Sequence, residues 1–425
     1  MNRLLIQNVS LFQNEKTLSK NDILIEDRYI KSIDSCNSYP SSHCSEIIDG
    51  SRFLAIPGLM NCHTHIPMVL FRGFAEDMNL SDWLTKKIFP LEGKLTEELV
   101  YFGALVGISE MIHSGCTFFA DMYFFLEAIA KAVSDSGIRA NLSLGLIDQD
   151  GDLGLNKSES LFNQYHLSAG ERIHIFLGPH APYTCSLPYL KKISDLAKSL
   201  DTGVHIHTNE TEKEVFDFIA LHHKHPIIAL NDLGFFSSPT LCAHCVHMNS
   251  DEIEILKEVQ AMVVHNPSSN MKLGSGIAPI NKMILRGLNV SIGTDGAASN
   301  NQLNMFKEMH LTSLLGKTLD KDGSTLSAET VFDMSTKIPG KYLMKGKTGT
   351  ISTGSLADLI LIPLDCLALF PSDFISKSMI HSLQGNEVDT VIIDGKIIMK
   401  NQKILTFDER EIRSKANQLV KETYQ

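Results

Sequence analysis

The first 57 residues alternate apolar and polar positions in short runs separated by polar turns. LLIQNVSLF, DILIEDRYIKSID and EIIDGSRFLAIPG are rich in β-branched residues and predict strands, with CNSYPSSHCSE as a turn. The other end repeats the pattern. ADLILIPL and DTVIIDGKIIMKNQKIL read as strands, and Asp394-Gly395 within the second is a hairpin signal. Two β-rich ends around a different middle predict one small β-sandwich, built from residues 1–57 and from residues 349–425 with a terminal helix.

Residues 58–348 alternate between strand-like and helix-like runs. Strands are expected near Leu54–His63, Cys116–Met122, Ile138–Leu146, Ile173–Pro179, Gly203–Thr208, Thr240–His244, Ala261–Asn266 and Asn289–Thr294. The clearest helix is LTEELVYFGALVGISEMIHSG. Thr96 suits its cap, Glu97 and Glu98 its positive end, and Gly115 its stop. Leu99, Phe102, Leu105, Val106 and Ile112 make its apolar face. Eight strands with intervening helices fit an α/β fold of the (β/α)₈ barrel type. A doubly wound open sheet is the alternative, but no G-x-G-x-x-G follows the first strand.

Charge narrows the choice of partner. The 49 acidic and 38 basic residues leave a net charge of −11, which argues against a nucleic-acid surface and favours a small neutral or cationic substrate. No membrane span is expected, because the apolar stretch Leu356–Phe370 is broken by Asp358, Pro363 and Asp365. The apolar run in MNRLLIQNVSLFQNE is too short for a signal peptide. Eight cysteines, most within apolar segments, read as reduced thiols of a cytoplasmic protein.

The polar residues at the predicted strand ends carry the chemistry. His63 and His65 end the first strand, His180 follows the fourth, His205 and His207 end the fifth, His244 ends the sixth and Asp295 the eighth. In a barrel these ends meet on one face. His63 and His65, at i and i+2, point to one side and can chelate one divalent ion. A hydrogen-bonded core pair is the bland alternative. His207 adds a third nitrogen and Asp295 an oxygen, which tips the balance to metal. Three histidines and one aspartate suit zinc, and iron or manganese fits the same set. Glu210, three residues past His207, is placed for proton transfer. His244 is either a core histidine or a group that polarises the attacking water; the second is favoured. Cys242 and Cys245 form a CxxC without a second pair and read as core thiols. DQDGDLG from Asp148 lacks the EF-hand glycine, since Leu153 stands there, and reads as a solvated loop. His222, His223 and His225 read as surface residues.

PGLMNCHTH, HTNE, AHCVH, HNPSSNMKLGSGIAP and GTDGAASNN closely resemble the amidohydrolase superfamily, and the likeness covers nearly the whole chain. Within it the chain looks like the 5-methylthioadenosine/S-adenosylhomocysteine deaminases. The resemblance implies metal on His63, His65, His207 and Asp295, and proton transfer by Glu210. It implies that His244 and Asp295 handle the attacking water. Trp83 and Glu92, nine residues apart in DWLTKKIFPLEGKL, match the nucleoside site, with Glu92 on the ribose hydroxyls. His180 in GPHAPYTC matches the residue that contacts the purine. That segment lacks the lysine of two-metal relatives, so one ion is expected. The implied reaction is hydrolytic deamination at C6 of an adenine nucleoside. Guanine, cytosine or s-triazine hydrolysis on the same scaffold is the enzymatic rival, and an inactive scaffold barrel the non-enzymatic one. A homo-oligomer is compatible with all of these.

The 5′ substituent is expected to be small and uncharged. Leu144 and Asn156 stand where S-adenosylhomocysteine users of the family resemble one another in carrying arginines. Asp148, Asp150 and Asp152 would repel a carboxylate if they face the pocket, and Lys157 offers only a mobile charge.

Overall fold

The computed structural model describes residues 2–14, 17–40 and 44–424. Positions 41–43 of the CNSYPSSHCSE turn lie outside the described residues.

Eight parallel strands pair in chain order: Leu59–Thr64, Cys116–Tyr123, Arg139–Leu146, Ile173–Pro179, Val204–Thr208, Thr240–His244, Met262–His265 and Asn289–Ile292. Helices cover their outer side, so the strands are apolar along their length; every residue of Cys116–Tyr123 is buried. The sheet nearly closes. Just past the eighth strand, the Asp295 N–H donates to the His63 carbonyl of the first at 2.9 Å. The Thr294 N–H donates to Asn61 Oδ1 at 3.0 Å. Gly293 permits this approach, since a Cβ there would lie 2.7 Å from the His63 nitrogen. The middle of the chain is therefore a (β/α)₈ barrel, as its alternation predicts.

Helix Glu97–His113 starts where expected, with Thr96 Oγ1 accepting from the Leu99 N–H at 3.2 Å. Its buried face is wider than the five-residue stripe. Val100, Ala104, Ile108 and Met111 are buried beside Leu99, Leu105 and Ile112, whereas Phe102 and Val106 are only partly so. Helix Glu409–Tyr424 packs against it in addition to the barrel, so more than one flank is covered.

Strands from both chain ends join in one nine-stranded sheet, where Phe53–Pro57 pairs antiparallel with Leu359–Pro363. The sheet curls over itself. Its edge strand Tyr29–Ser35 bonds back to the segment before Leu359, through Ile30 N–H to Ser355 O and Gly354 N–H to Ile30 O, both 2.8 Å. The curl encloses a core that includes Ile6, Ile23, Ile25, Phe53, Leu359 and Ile392. The sandwich-like layer is thus one folded sheet. Asp394 and Gly395, at φ 55° and 72°, make the expected two-residue turn between Thr390–Ile393 and Lys396–Lys400.

A buried ion cluster joins this sheet to the barrel. Arg139, fully buried, donates from Nε to Asp358 at 2.6 Å and from a terminal nitrogen to Asp394 at 2.5 Å. The DQDGDLG stretch is not a loop: Asp148–Asp150 is a 3₁₀ turn leading into helix Gly151–Tyr165. Asp148 Oδ1 accepts from the Ser186 N–H and hydroxyl at 2.9 and 3.0 Å, at the entry to helix Leu187–Ser199. His223 is exposed and His222 and His225 are half-buried. Cys242 and Cys245 are buried, and all eight cysteines are free. Among the described residues, no helix is long and apolar enough to cross a membrane.

Candidate active site

The C-terminal ends of the barrel strands deliver His63, His65, His180, His207, His244 and Asp295 to one face. The corners they occupy are tight. Asn209, His244 and Asp295 sit at φ 52°, 73° and 60°, a region non-glycine residues seldom enter. Interstrand bonds hold them there, including the Asp295 N–H to His63 O and the Cys245 N–H to Thr208 O at 3.1 Å.

Ring nitrogens and one carboxylate converge. Asp295 Oδ1 lies 3.4 Å from His63 Nε2 and 3.3 Å from His65 Nε2. His65 Nε2 lies 3.2 Å from His207 Nε2. The far nitrogens are committed elsewhere. His65 Nδ1 donates to Met122 O at 2.6 Å and His207 Nδ1 to His180 O at 2.7 Å. Those bonds place the Nε2 lone pairs of both rings inward. His63 Nδ1 meets His205 Nε2 at 2.8 Å, while its own Nε2 is buried without a hydrogen-bond partner. Asp295 Oδ2 accepts from the Ser269 and Ser299 hydroxyls at 2.6 and 2.9 Å. An orphaned imidazole nitrogen facing two more lone pairs and a carboxylate fits a divalent cation.

Glu210 and His244 stand beside this cluster. His244 Nδ1 lies 2.8 Å from Asn270 Oδ1, which leaves Nε2 facing Glu210 Oε2 at 3.9 Å. Burial raises the Glu210 carboxyl above its ordinary range.

A cavity of about 350 Å³ opens from these groups, within the usual range for small-molecule sites. Trp83, Ile88, Phe89, Glu92, Ile147, Gln149, His180 and Tyr183 are among the residues that line it. Trp83 and Glu92 come from a segment made of Leu80–Asp82, a π-helical turn Trp83–Ile88 and Phe89–Glu92. Such turns recur at functional sites because they re-aim side chains. Tyr424, at the end of Glu409–Tyr424, donates its hydroxyl to Leu91 O at 3.0 Å and pins this segment. Burial pushes the Glu92 carboxyl up to about 7, against the opposing pull of Tyr123 and His65. Burial pushes His180 down to about 3, so it is neutral, with Nδ1 2.9 Å from Thr184 Oγ1.

Among the described residues, no lysine or arginine lines this cavity. Asn156 and Lys157 are exposed on helix Gly151–Tyr165, where Lys157 pairs with Glu127 at 3.6 Å, and Leu144 is not part of the lining. Ile147 and Gln149, from the same strand–helix connection, do line it. His205, expected to face the pocket, lies beneath His63 and does not line it. Sequence reading gave no roles to Asn270, Ser269 and Ser299, which lie in the HNPSSN and GTDGAASNN motifs. Tyr123 and Gln149 carried no spacing signal.

The amidohydrolase family profile matches residues 54–398. A 5-methylthioadenosine/S-adenosylhomocysteine deaminase of Caldanaerobacter subterraneus is 44% identical, covering 98% of this chain and 99% of its own. A 5′-deoxyadenosine deaminase of Methanocaldococcus jannaschii is 45% identical, covering 98% of each chain. An adenosine deaminase from Xanthomonas campestris with bound zinc superposes with a TM-score of 0.92 at 28% identity, covering 99% of this chain and 98% of that one.

Proposed function

The chain belongs to the amidohydrolase family and hydrolyses a carbon–nitrogen bond of a cyclic amidine, and from this premise we propose how its site deaminates an adenine nucleoside at C6. The observation that carries the reading is the convergence of His63, His65, His207 and Asp295 beside Glu210 and His244, at the base of one cavity.

His63, His65, His207 and Asp295 would hold one divalent ion. Zinc is our assignment, supported by three imidazoles with one carboxylate and by the zinc of the Xanthomonas enzyme. When bound, that ion supplies a Lewis acid that makes water acidic enough to attack at neutral pH. The chain's own groups do the rest. Glu210 gives its proton to the ring nitrogen next to C6, which makes C6 electrophilic. His244 and Asp295 take the proton of the attacking water and hold its oxygen over C6. The new C–O bond makes C6 tetrahedral. The proton taken by His244 and Asp295 passes to the amino nitrogen, the C–N bond breaks and ammonia leaves, while the new hydroxyl returns its proton to Glu210 and its oxygen remains as the C6 carbonyl.

Trp83 and Glu92 would hold the nucleoside, with the Glu92 carboxylate on the ribose hydroxyls and His180 against the purine. A cavity wall without cations favours an uncharged 5′ group, so methylthioadenosine, 5′-deoxyadenosine and adenosine are the substrates proposed. We also divide the chain into a barrel of residues 58–348 and a β unit of residues 1–57 and 349–425. Phe53–Pro57 and Leu59–Thr64 belonging to different sheets supports the first boundary. The free cysteines support a reducing, cytoplasmic setting. The test is kcat/KM across methylthioadenosine, adenosine, S-adenosylhomocysteine, guanine, cytosine and a chloro-s-triazine. Methylthioadenosine ahead of S-adenosylhomocysteine, with the last three inert, is expected; turnover of guanine or the triazine alone would overturn the reading.

A further inference from the structure

Glu210 stands on a turn that another carboxylate grips from behind. Glu214 is buried, and its Oε1 accepts from the Asn209 N–H at 3.0 Å while its Oε2 accepts from the Glu210 N–H at 2.8 Å. Asn209 is in the left-handed region, so these successive N–H groups converge on one anion. Thr211 caps helix Glu212–His222, accepting from the Glu214 N–H at 3.1 Å. In a Thr-x-x-Glu capping box the glutamate returns to the cap residue's own N–H. Here it also reaches one and two residues further back, to the residue that carries the proton-transferring carboxylate and the one before it. The turn is tied from its other side too: Asn209 Nδ2 donates to His247 O and to the buried Glu252, both at 3.0 Å. Glu214 does not line the cavity.

A buried carboxylate costs desolvation that an apolar residue at a helix N-terminus avoids. What it secures here is the orientation of one backbone unit, that of Glu210. We propose that Glu214 is a positioning residue for the deamination: its bidentate grip on the Asn209–Glu210 turn keeps the Glu210 carboxyl aimed at the purine ring nitrogen. This inference rests on Glu210 being the proton donor. Misplacing a reacting group by about 1 Å costs on the order of 10²-fold in rate, so a loosened turn acts on kcat and leaves substrate and metal binding alone.

The experiment uses the metal-loaded enzyme with methylthioadenosine. Glu214→Gln replaces one acceptor by an amide N–H₂ that opposes a backbone N–H. It should lower kcat about 10- to 100-fold, with KM and metal content kept. Thr211→Ala removes the helix cap without freeing Glu210; it should lower Tm and leave kcat unchanged. Glu210→Gln/Glu214→Gln should be no slower than Glu210→Gln, because Glu214 acts through Glu210. Asn209→Gly loosens the same turn while tolerating its φ; it should show the same kcat-specific loss and serves if Glu214→Gln does not fold. A Glu214→Gln kcat within twofold of the parent, or an equal fold loss in the Glu210→Gln background, overturns the inference. Near-parental activity of Glu210→Gln itself would sink the reading of Glu210 and this inference with it.

Discussion

His65 Nε2 and His207 Nε2 lie 3.2 Å apart although 142 residues separate them in the chain. Each ring already donates its other N–H to a main-chain carbonyl, so two lone pairs face one another beside Asp295. A cation satisfies all of them. One divalent ion per chain is therefore expected by elemental analysis, and His207→Ala should lose most of it. Two ions per chain, or full activity after metal stripping, would contradict the ligand set.

Glu210→Gln keeps the shape of the side chain and removes its proton. The expected outcome is a kcat lower by about 10²- to 10⁴-fold with metal content and Tm retained. A variant within a few-fold of the parent would remove Glu210 from the chemistry.

Glu92 should impose a pH dependence on sugar binding. Its carboxyl is raised by burial from 4.5 to about 7. The ionised form accepts the stronger, charge-assisted pair of hydrogen bonds from a ribose diol. KM for adenosine should rise as pH falls through about 7, while KM for 2′,3′-dideoxyadenosine stays flat. The same shift has a stability consequence. An acid held more tightly by the folded state stabilises it at low pH, and that contribution is lost as pH rises from 4.5 to about 7. Glu92→Gln should accordingly gain Tm relative to the parent at pH 8 and lose that advantage at pH 5. Equal pH profiles for the two nucleosides would refute the assignment.

Arg139 carries the link between barrel and outer sheet. Arg139→Leu leaves Asp358 and Asp394 facing each other without their cation. Removing one partner of a buried ion cluster costs about 3–5 kcal/mol. Chemical denaturation should show that loss. Arg139 starts its strand, at the opposite barrel end from the metal cluster, so metal content and KM of the folded protein should not change.

The barrel was legible because its strands are short, apolar and separated by capped helices, and because polar residues mark their ends. His63, His65, His207 and Asp295 are visible in sequence for that reason. That Trp83 and Glu92 share one cavity was legible through their spacing alone. The lining by Ile147 and Gln149 was not. Asn156 stands at an expected arginine position and Lys157 offers a mobile charge beside it, but their helix begins at Gly151 and leaves both exposed. Asp148 looked free because its bonds to Ser186 span 38 positions. Glu214 was assigned no role from sequence. Its grip on Asn209 and Glu210 depends on the left-handed turn at Asn209, which has no signature in composition or periodicity.

The most direct test of the account is the product formed from methylthioadenosine by the metal-loaded enzyme in heavy-oxygen water, read by mass spectrometry together with released ammonia. The account predicts one ammonia per nucleoside, an intact glycosidic bond and the heavy oxygen at C6 of a hypoxanthine nucleoside. Release of free adenine, or no ammonia from any adenine nucleoside, would contradict it.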